Sequence, residues 1–284
     1  MKLIRQDFNI VNQKGFSIKD IKKHIEYCAR ISYKSQDRIT DDSYEKFVNM
    51  LEKRDHTRPL EFGTVHLKMI LPDFEGFIHS LLTIGMLNNI WIKHAYKGDV
   101  IYITTNYRYY LDIIKYFPNV KKYLTEEDNE YYPKRYTVHF ITSRGIMDEF
   151  RTHVGLSHLA ESSRYCSYDK NRFGNELTFI IPNWVNTNYS NKEQEEPSVS
   201  SMEWSTAILD AEASYMNLIK MGCTAQEARE VLPLSVKSEL ISCGFEDAWS
   251  NFFYRRCAKD AHPMAREIAI PLQEKFKELN YVNQ

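Results

Sequence analysis

No stretch of the chain approaches the roughly 18 consecutive apolar residues that a membrane-crossing helix needs, so a bilayer-embedded protein is not expected. Met1 is followed by Lys2–Leu3–Ile4–Arg5–Gln6–Asp7, which offers no apolar signal core. Neither a GxGxxG turn nor a Walker phosphate loop occurs, which argues against Rossmann and P-loop enzymes. Cysteine is sparse. Cys28, Cys166, Cys223, Cys243 and Cys257 are odd in number and scattered, which disfavours a disulfide framework and suits reduced thiols in the cytoplasm. Without a Cys-x-x-Cys spacing, a zinc site from Cys243, Cys257 and His262 is disfavoured, and no metal is expected. Excess charge is missing too. Lys and Arg number 37 against 38 Asp and Glu, so no global field favours nucleic acid or a membrane surface. No RNP-like segment or basic stripe supports RNA binding.

What is present is a chain of 284 residues with 43% hydrophobic and 26% charged residues, as in ordinary globular proteins. A single catalytic domain is expected, with a flexible loop in the polar stretch 183–200. Tyrosine (19) and phenylalanine (15) are plentiful enough to fill a core and still leave rings for stacking on flat ligands.

The periodicity predicts alternating elements. Residues 2–11 read as one strand. Ser17 with Asp20 resembles a capping box, followed by Ile18, Ile21, Ile25, Cys28 and Ala29 at helical spacing. A helix over 42–52 leads to the loop His56–Thr57–Arg58–Pro59–Leu60–Glu61 and a strand over 64–70, while 73–96 is mixed and partly helical. Strands are predicted over 100–105 and 135–143, the second feeding a helix that contains Asp148 to Val154. A short strand over 177–181, a long helix over 201–220, a Thr224–Glu227 cap, a strand over 234–241 and helices through Trp249 and over 264–279 complete the chain.

The polar residues crowd into one segment. Arg144, Glu149, Arg151, His153, Ser157, Glu161, Ser162, Ser163 and Arg164 lie close together beside an apolar run. Ser162, Ser163 and Arg164 have the makings of a phosphate cradle, because hydroxyls and backbone N–H groups take oxygens and a guanidinium binds two at once. The same residues also read as a polar helix end capped by a Ser-Ser pair.

This segment resembles the signature of the flavin-dependent thymidylate synthases, which runs Arg-His-Arg, then a Ser, then Ser-x-Arg. His153, Ser157, Ser162 and Arg164 match it without gaps, whereas Thr152 and Val154 stand where the two arginines flanking the His would be. The loop with His56, Arg58 and Glu61 resembles that family's His-x-x-Pro-x-Glu loop. Arg229 before Leu232–Pro233, and Asn251 five residues before Arg256, keep the spacing of two further family motifs. The resemblance implies an α/β fold with a mixed central sheet, flanking helices and long helices at the subunit interface of a homotetramer with shared active sites. It implies conversion of dUMP to dTMP, with methylenetetrahydrofolate giving the carbon and NADPH reducing FAD. Glu149, Ser162, Ser163, Arg164, Arg229 and Arg256 are the implied substrate residues. His56, Arg58, Glu61, His153, Ser157, Glu161, Asn251 and His262 are the implied flavin residues, with Arg144 or Arg151 replacing a signature arginine at the pyrophosphate. No protein nucleophile is implied. A nucleotide-binding relative without flavin or catalysis is the alternative.

Overall fold

The computed structural model describes residues 1–88, 90–162, 176–186 and 198–282. The first half of the chain forms β1 (Lys2–Ile4), β2 (Asp7–Ile10), α1 (Ile18–Tyr33), α2 (Ser43–Lys53), β3 (Thr64–Ile70), α3 (Leu71–Thr83), β4 (Ile92–Lys97), β5 (Val100–Asn106), α4 (Tyr107–Tyr116) and β6 (Leu124–Thr125). The second half forms β7 (Arg135–Ser143), α5 (Arg144–Arg151), β8 (Ser157–Ala160), β9 (Thr178–Ile180), α6 (Val199–Lys220), α7 (Ala225–Ala228), β10 (Lys237–Phe245), α8 (Glu246–Arg256) and α9 (Pro263–Glu278).

The α/β character holds, but the single mixed sheet does not. The strands divide into two antiparallel sheets, ordered β2-β7-β10-β8 and β4-β5-β3-β6, and a separate pair β1-β9. The β1-β9 pair is the one parallel pairing among the described residues. The reason is connection length: β4 turns into β5 through two residues, which only an antiparallel neighbour permits. The stretch 2–11, expected as one strand, serves two sheets. It breaks at Arg5 and Gln6, whose side chains donate to Pro182 O at 3.1 Å and Met264 O at 2.9 Å.

Each four-stranded sheet has its own core. Ile21, Ile25, Val48, Leu51, Leu67 and Ile103 pack α1 and α2 over the β3–β5 sheet. Val138, Phe140, Phe150, Leu240, Trp249, Phe252 and Phe276 pack α5, α8 and α9 over the β7–β10 sheet. Trp249 is fully buried, and its indole N–H donates to Tyr136 O at 3.1 Å. The helix ends follow the local signals: the Ser17 hydroxyl accepts from Asp20 N at 3.1 Å, and Thr224 with Glu227 forms a complete capping box. The loop expected over 183–200 has 187–197 outside the described residues, and its end already belongs to α6.

Several imidazoles are buried, with a consequence for pH. His66 is stacked between Phe16 and Tyr132, with ring centroids 3.7 Å and 3.9 Å away. Burial pushes its pKa down to about 4. Burial and the Arg135 charge push His24 down to about 3, and burial pushes His158 down to about 4. The unfolded chain takes up these protons near pH 6.5, whereas the folded chain refuses them until pH is far lower. Stability is therefore full above about pH 6.5 and falls as pH drops towards about 4, by about 3 kcal/mol at most for each imidazole. Thermal melting across pH 7.5 to 4.5 is expected to show this loss before the carboxylates titrate, and a flat profile above pH 5 would contradict it.

Candidate active site

The site is assembled where α5 hands over to β8. Ser143 caps α5 by accepting from Ile146 N at 3.3 Å. The helix stops at Arg151, one turn earlier than the predicted helix through Val154, and the Thr152 hydroxyl donates back to Glu149 O at 2.9 Å. Gly155 then takes a left-handed φ of 98°, close against β10, where a Cβ on Gly244 would stand 3.0 Å from Gly155 O. This turn delivers β8 to the edge of β10, with Cys243 opposite Ser157 and Leu240 opposite Ala160. The sequence suggested no strand here, because four residues with a Ser and a His carry no alternation strong enough to see.

β8 brings predicted residues together. Glu61 is buried in a 3-10 turn over Arg58–Phe62. One carboxylate oxygen accepts from the Ser157 hydroxyl at 2.6 Å and the other from Arg108 Nη1 at 2.6 Å. Arg135 donates to the Glu61 carbonyl at 2.7 Å. His56 and Arg58 stay exposed on the approach to this turn. His153 is buried edge-on to Phe252, with centroids 5.4 Å apart, and its Nε2 has no partner among the described residues. Burial lowers its pKa, disfavouring the charged ring. His158, which sequence reasoning missed, braces it: its Nε2–H donates to His153 O at 3.0 Å and its Nδ1 accepts from Ser242 at 2.9 Å.

Glu149 on α5 and Arg256 on α8 bind each other. Arg256 donates to the Glu149 carboxylate at 3.1 Å and to its carbonyl at 2.6 Å, while Nε is buried without a partner among the described residues. Asn251 lies exposed on α8 and lines a cleft of about 280 Å³ with Lys93, Val154, Gly155 and Phe245. His262 caps α9, its Nδ1 accepting from Met264 N at 3.1 Å. Arg144 and Arg151, expected at a pyrophosphate, both pair with Asp148 at 3.1 Å.

Arg229 opens a 3-10 turn after α7 and pairs with Glu230 at 3.3 Å. It lines a second cleft, of about 210 Å³, with Arg144, Glu161, Glu230, Lys237 and Ser238. Arg256 is not among the residues lining it. Ser162 lies at its margin in sequence, its N–H donating to Ser32 O at 3.3 Å, and Ser163 and Arg164 lie outside the described residues. Glu161, expected beside the flavin, joins Lys34, Lys237, Glu239 and His139 in a largely buried polar network at this cleft. None of those four partners was anticipated. The signal that could have found them is charge inside an apolar strand: Lys237 and Glu239 open β10, which is otherwise wholly buried.

A flavin implied by the resemblance finds fitting groups here. His153 offers a buried unpartnered nitrogen beside an aromatic wall, and His56, Arg58 and Asn251 remain exposed. Thr152 and Val154 add no charge, and Lys93 in the Asn251 cleft pairs with Asp247. Among the described residues, no group of His, Cys, Asp and Glu is placed to hold a metal ion, and no helix is long and apolar enough to cross a membrane.

A family model described as "Thymidylate synthase complementing protein" matches residues 134–280, from β7 through α9. No curated protein matches the chain. Two crystal structures of a UMP/dUMP methylase PolB from Streptomyces cacaoi are similar to it. The one bound with 5-Br dUMP has a TM-score of 0.43 at 14% identity, covering 99% of this chain and 93% of that one. The one bound with 5-Br UMP has a TM-score of 0.45 at 13% identity, covering 99% and 92%.

Proposed function

This chain belongs to the thymidylate synthase complementing protein family, and from that premise we propose that it is a cytoplasmic enzyme methylating dUMP to dTMP. The carbon donor in this reading is methylenetetrahydrofolate. FAD, reduced by NADPH, supplies the hydride when bound, and the protein's part is positioning and electrostatics.

The observation that carries the reading is that the matched segment holds both Arg229 and Arg256, and that Arg229 opens with Arg144 and Lys237 onto one cleft. A nucleotide phosphate is a dianion, and planar guanidinium forks hold it bidentately. Arg229 and Arg144, with Ser162 and the adjoining Ser163 and Arg164, are assigned to that phosphate. Arg256 is assigned to the uracil carbonyls. It does not line the cleft that Arg144 and Arg229 share, which separates it from the phosphate pair. His56, Arg58, His153 and Asn251 are assigned to the flavin. Glu61 acts through Ser157 and Arg108, fixing the turn that presents His56 and Arg58.

The assembly proposed is a homotetramer with shared sites. On α6, Val199, Met202 and Leu209 are 78%, 49% and 50% exposed, an apolar burden that a subunit interface would cover. The second reading, a nucleotide-binding relative without flavin, is favoured by one feature. Val154 is 74% exposed where the signature has an arginine, so a pyrophosphate would meet a methyl surface.

The visible spectrum separates the two. Purified protein mixed with FAD is expected to show a bound-flavin band that shifts when dUMP is added, followed by tritium release from 5-tritiated dUMP in the complete reaction. Unperturbed FAD at excess, with dUMP still binding, would leave the second reading.

A further inference from the structure

The charged network beside β8 has one open valence. Lys237 Nζ donates to Glu161 Oε2 at 3.0 Å, and Lys34 Nζ lies 3.6 Å from the same oxygen. Both ammonium groups also reach Glu239, which accepts from His139 Nε2 at 3.0 Å through its other oxygen. Lys34 is the cap residue of α1 and holds a left-handed φ of 49°, a conformation uncommon for a residue with a side chain. Glu161 is thus anchored firmly through Oε2. Its Oε1 is buried with no partner among the described residues, in a side chain only 2% exposed. Buried carboxylate oxygens are seldom left unfilled, because losing water without gaining a donor is costly. Glu161 lines the cleft of about 210 Å³ that Arg144 and Arg229 rim.

We propose that Glu161 is a specificity-determining residue of this cleft: Oε1 accepts a hydrogen bond from a neutral donor of a pyrimidine nucleoside monophosphate whose phosphate meets Arg144 and Arg229. Lys34 and Lys237 are positioning residues that occupy Oε2 and leave Oε1 for the ligand. The inference rests on the nucleotide reading above. The shared chemistry is an N–H or O–H donor, and it has two sources on dUMP, the imide N3–H and the sugar 3′-hydroxyl. A carboxylate at this point rejects a ligand that presents a lone pair or a methyl group instead, since its own acceptor is then left buried and unpaired.

The test is calorimetric titration of the full chain with dUMP, 2′,3′-dideoxy-UMP and N3-methyl-dUMP. One analogue is expected to bind about 10- to 100-fold more weakly than dUMP, the loss typical of a hydrogen bond to a charged group, and which one it is names the source. Glu161→Gln is expected to weaken dUMP and to shrink the gap between dUMP and that analogue. If both analogues bind the wild-type chain within twofold of dUMP, the inference is overturned while the nucleotide reading stands. A gap that survives unchanged in folded Glu161→Gln also overturns it. If no nucleotide binds a folded wild-type chain, both fall. Should Glu161→Gln fail to fold, the wild-type arms decide alone.

Discussion

Replacing Arg256 with alanine is expected to lower dUMP affinity by at least about 100-fold, because two charge-assisted hydrogen bonds, each about 1.5–3 kcal/mol, are removed from the assigned uracil contact. The fold should survive. α8 is anchored by Trp249, Phe252 and Phe253, all buried, whereas Arg256 sits at its last residue. Its partner Glu149 has a side chain 35% exposed, so water can replace the guanidinium. Arg256→Lys should not restore binding, since an ammonium cannot span two acceptors as the fork does. Calorimetric titration alongside a thermal melt reads both quantities. Undiminished dUMP binding in a folded Arg256→Ala protein would take Arg256 out of the substrate site.

The largest stability effect is expected at Glu239. Burial alone would raise its carboxyl pKa, but the His139 hydrogen bond and the Lys237 and Lys34 charges outweigh that and hold it well below the usual carboxylate range. A depressed carboxyl stabilises the fold above its unfolded pKa and loses that contribution as pH falls below it. Glu239→Leu at neutral pH leaves two ammonium groups, each with a side chain only 15% exposed, short of a counter-charge and should cost about 3–5 kcal/mol, the range for breaking one side of a buried ion pair. Adding Lys237→Met should recover part of the loss, because it withdraws one of the stranded charges. Urea unfolding of the single and double variants measures this. A Glu239→Leu loss under about 1 kcal/mol would mean that water reaches the network and carries the charge instead.

Legibility followed the range of the physical signal. The helix starts at Ser17 and Thr224 and the strand over 135–143 were readable because caps act over three residues and alternation over two. β4 was lost in a stretch read as mixed, and β8 in what looked like a helix end. Short strands are specified by their partners, and β8 becomes one only because β10 lies beside it with two glycines allowing the approach. In the site, Glu61 and Ser157 were named from the resemblance and found in contact, and Arg256 and Glu149 were named as substrate ligands and found holding each other.

The sequence by itself determined the family and the α/β character, since motif spacing and helix caps are written within short windows. Tertiary structure alone decided that the strands form two antiparallel sheets, that Glu161 faces the Arg229 cleft, and that Lys34 meets Glu239 across 205 positions of chain. A pairing at that separation leaves no periodicity to read. It exists only because folding lays the end of α1 against β10, where burial makes each charge depend on its neighbours.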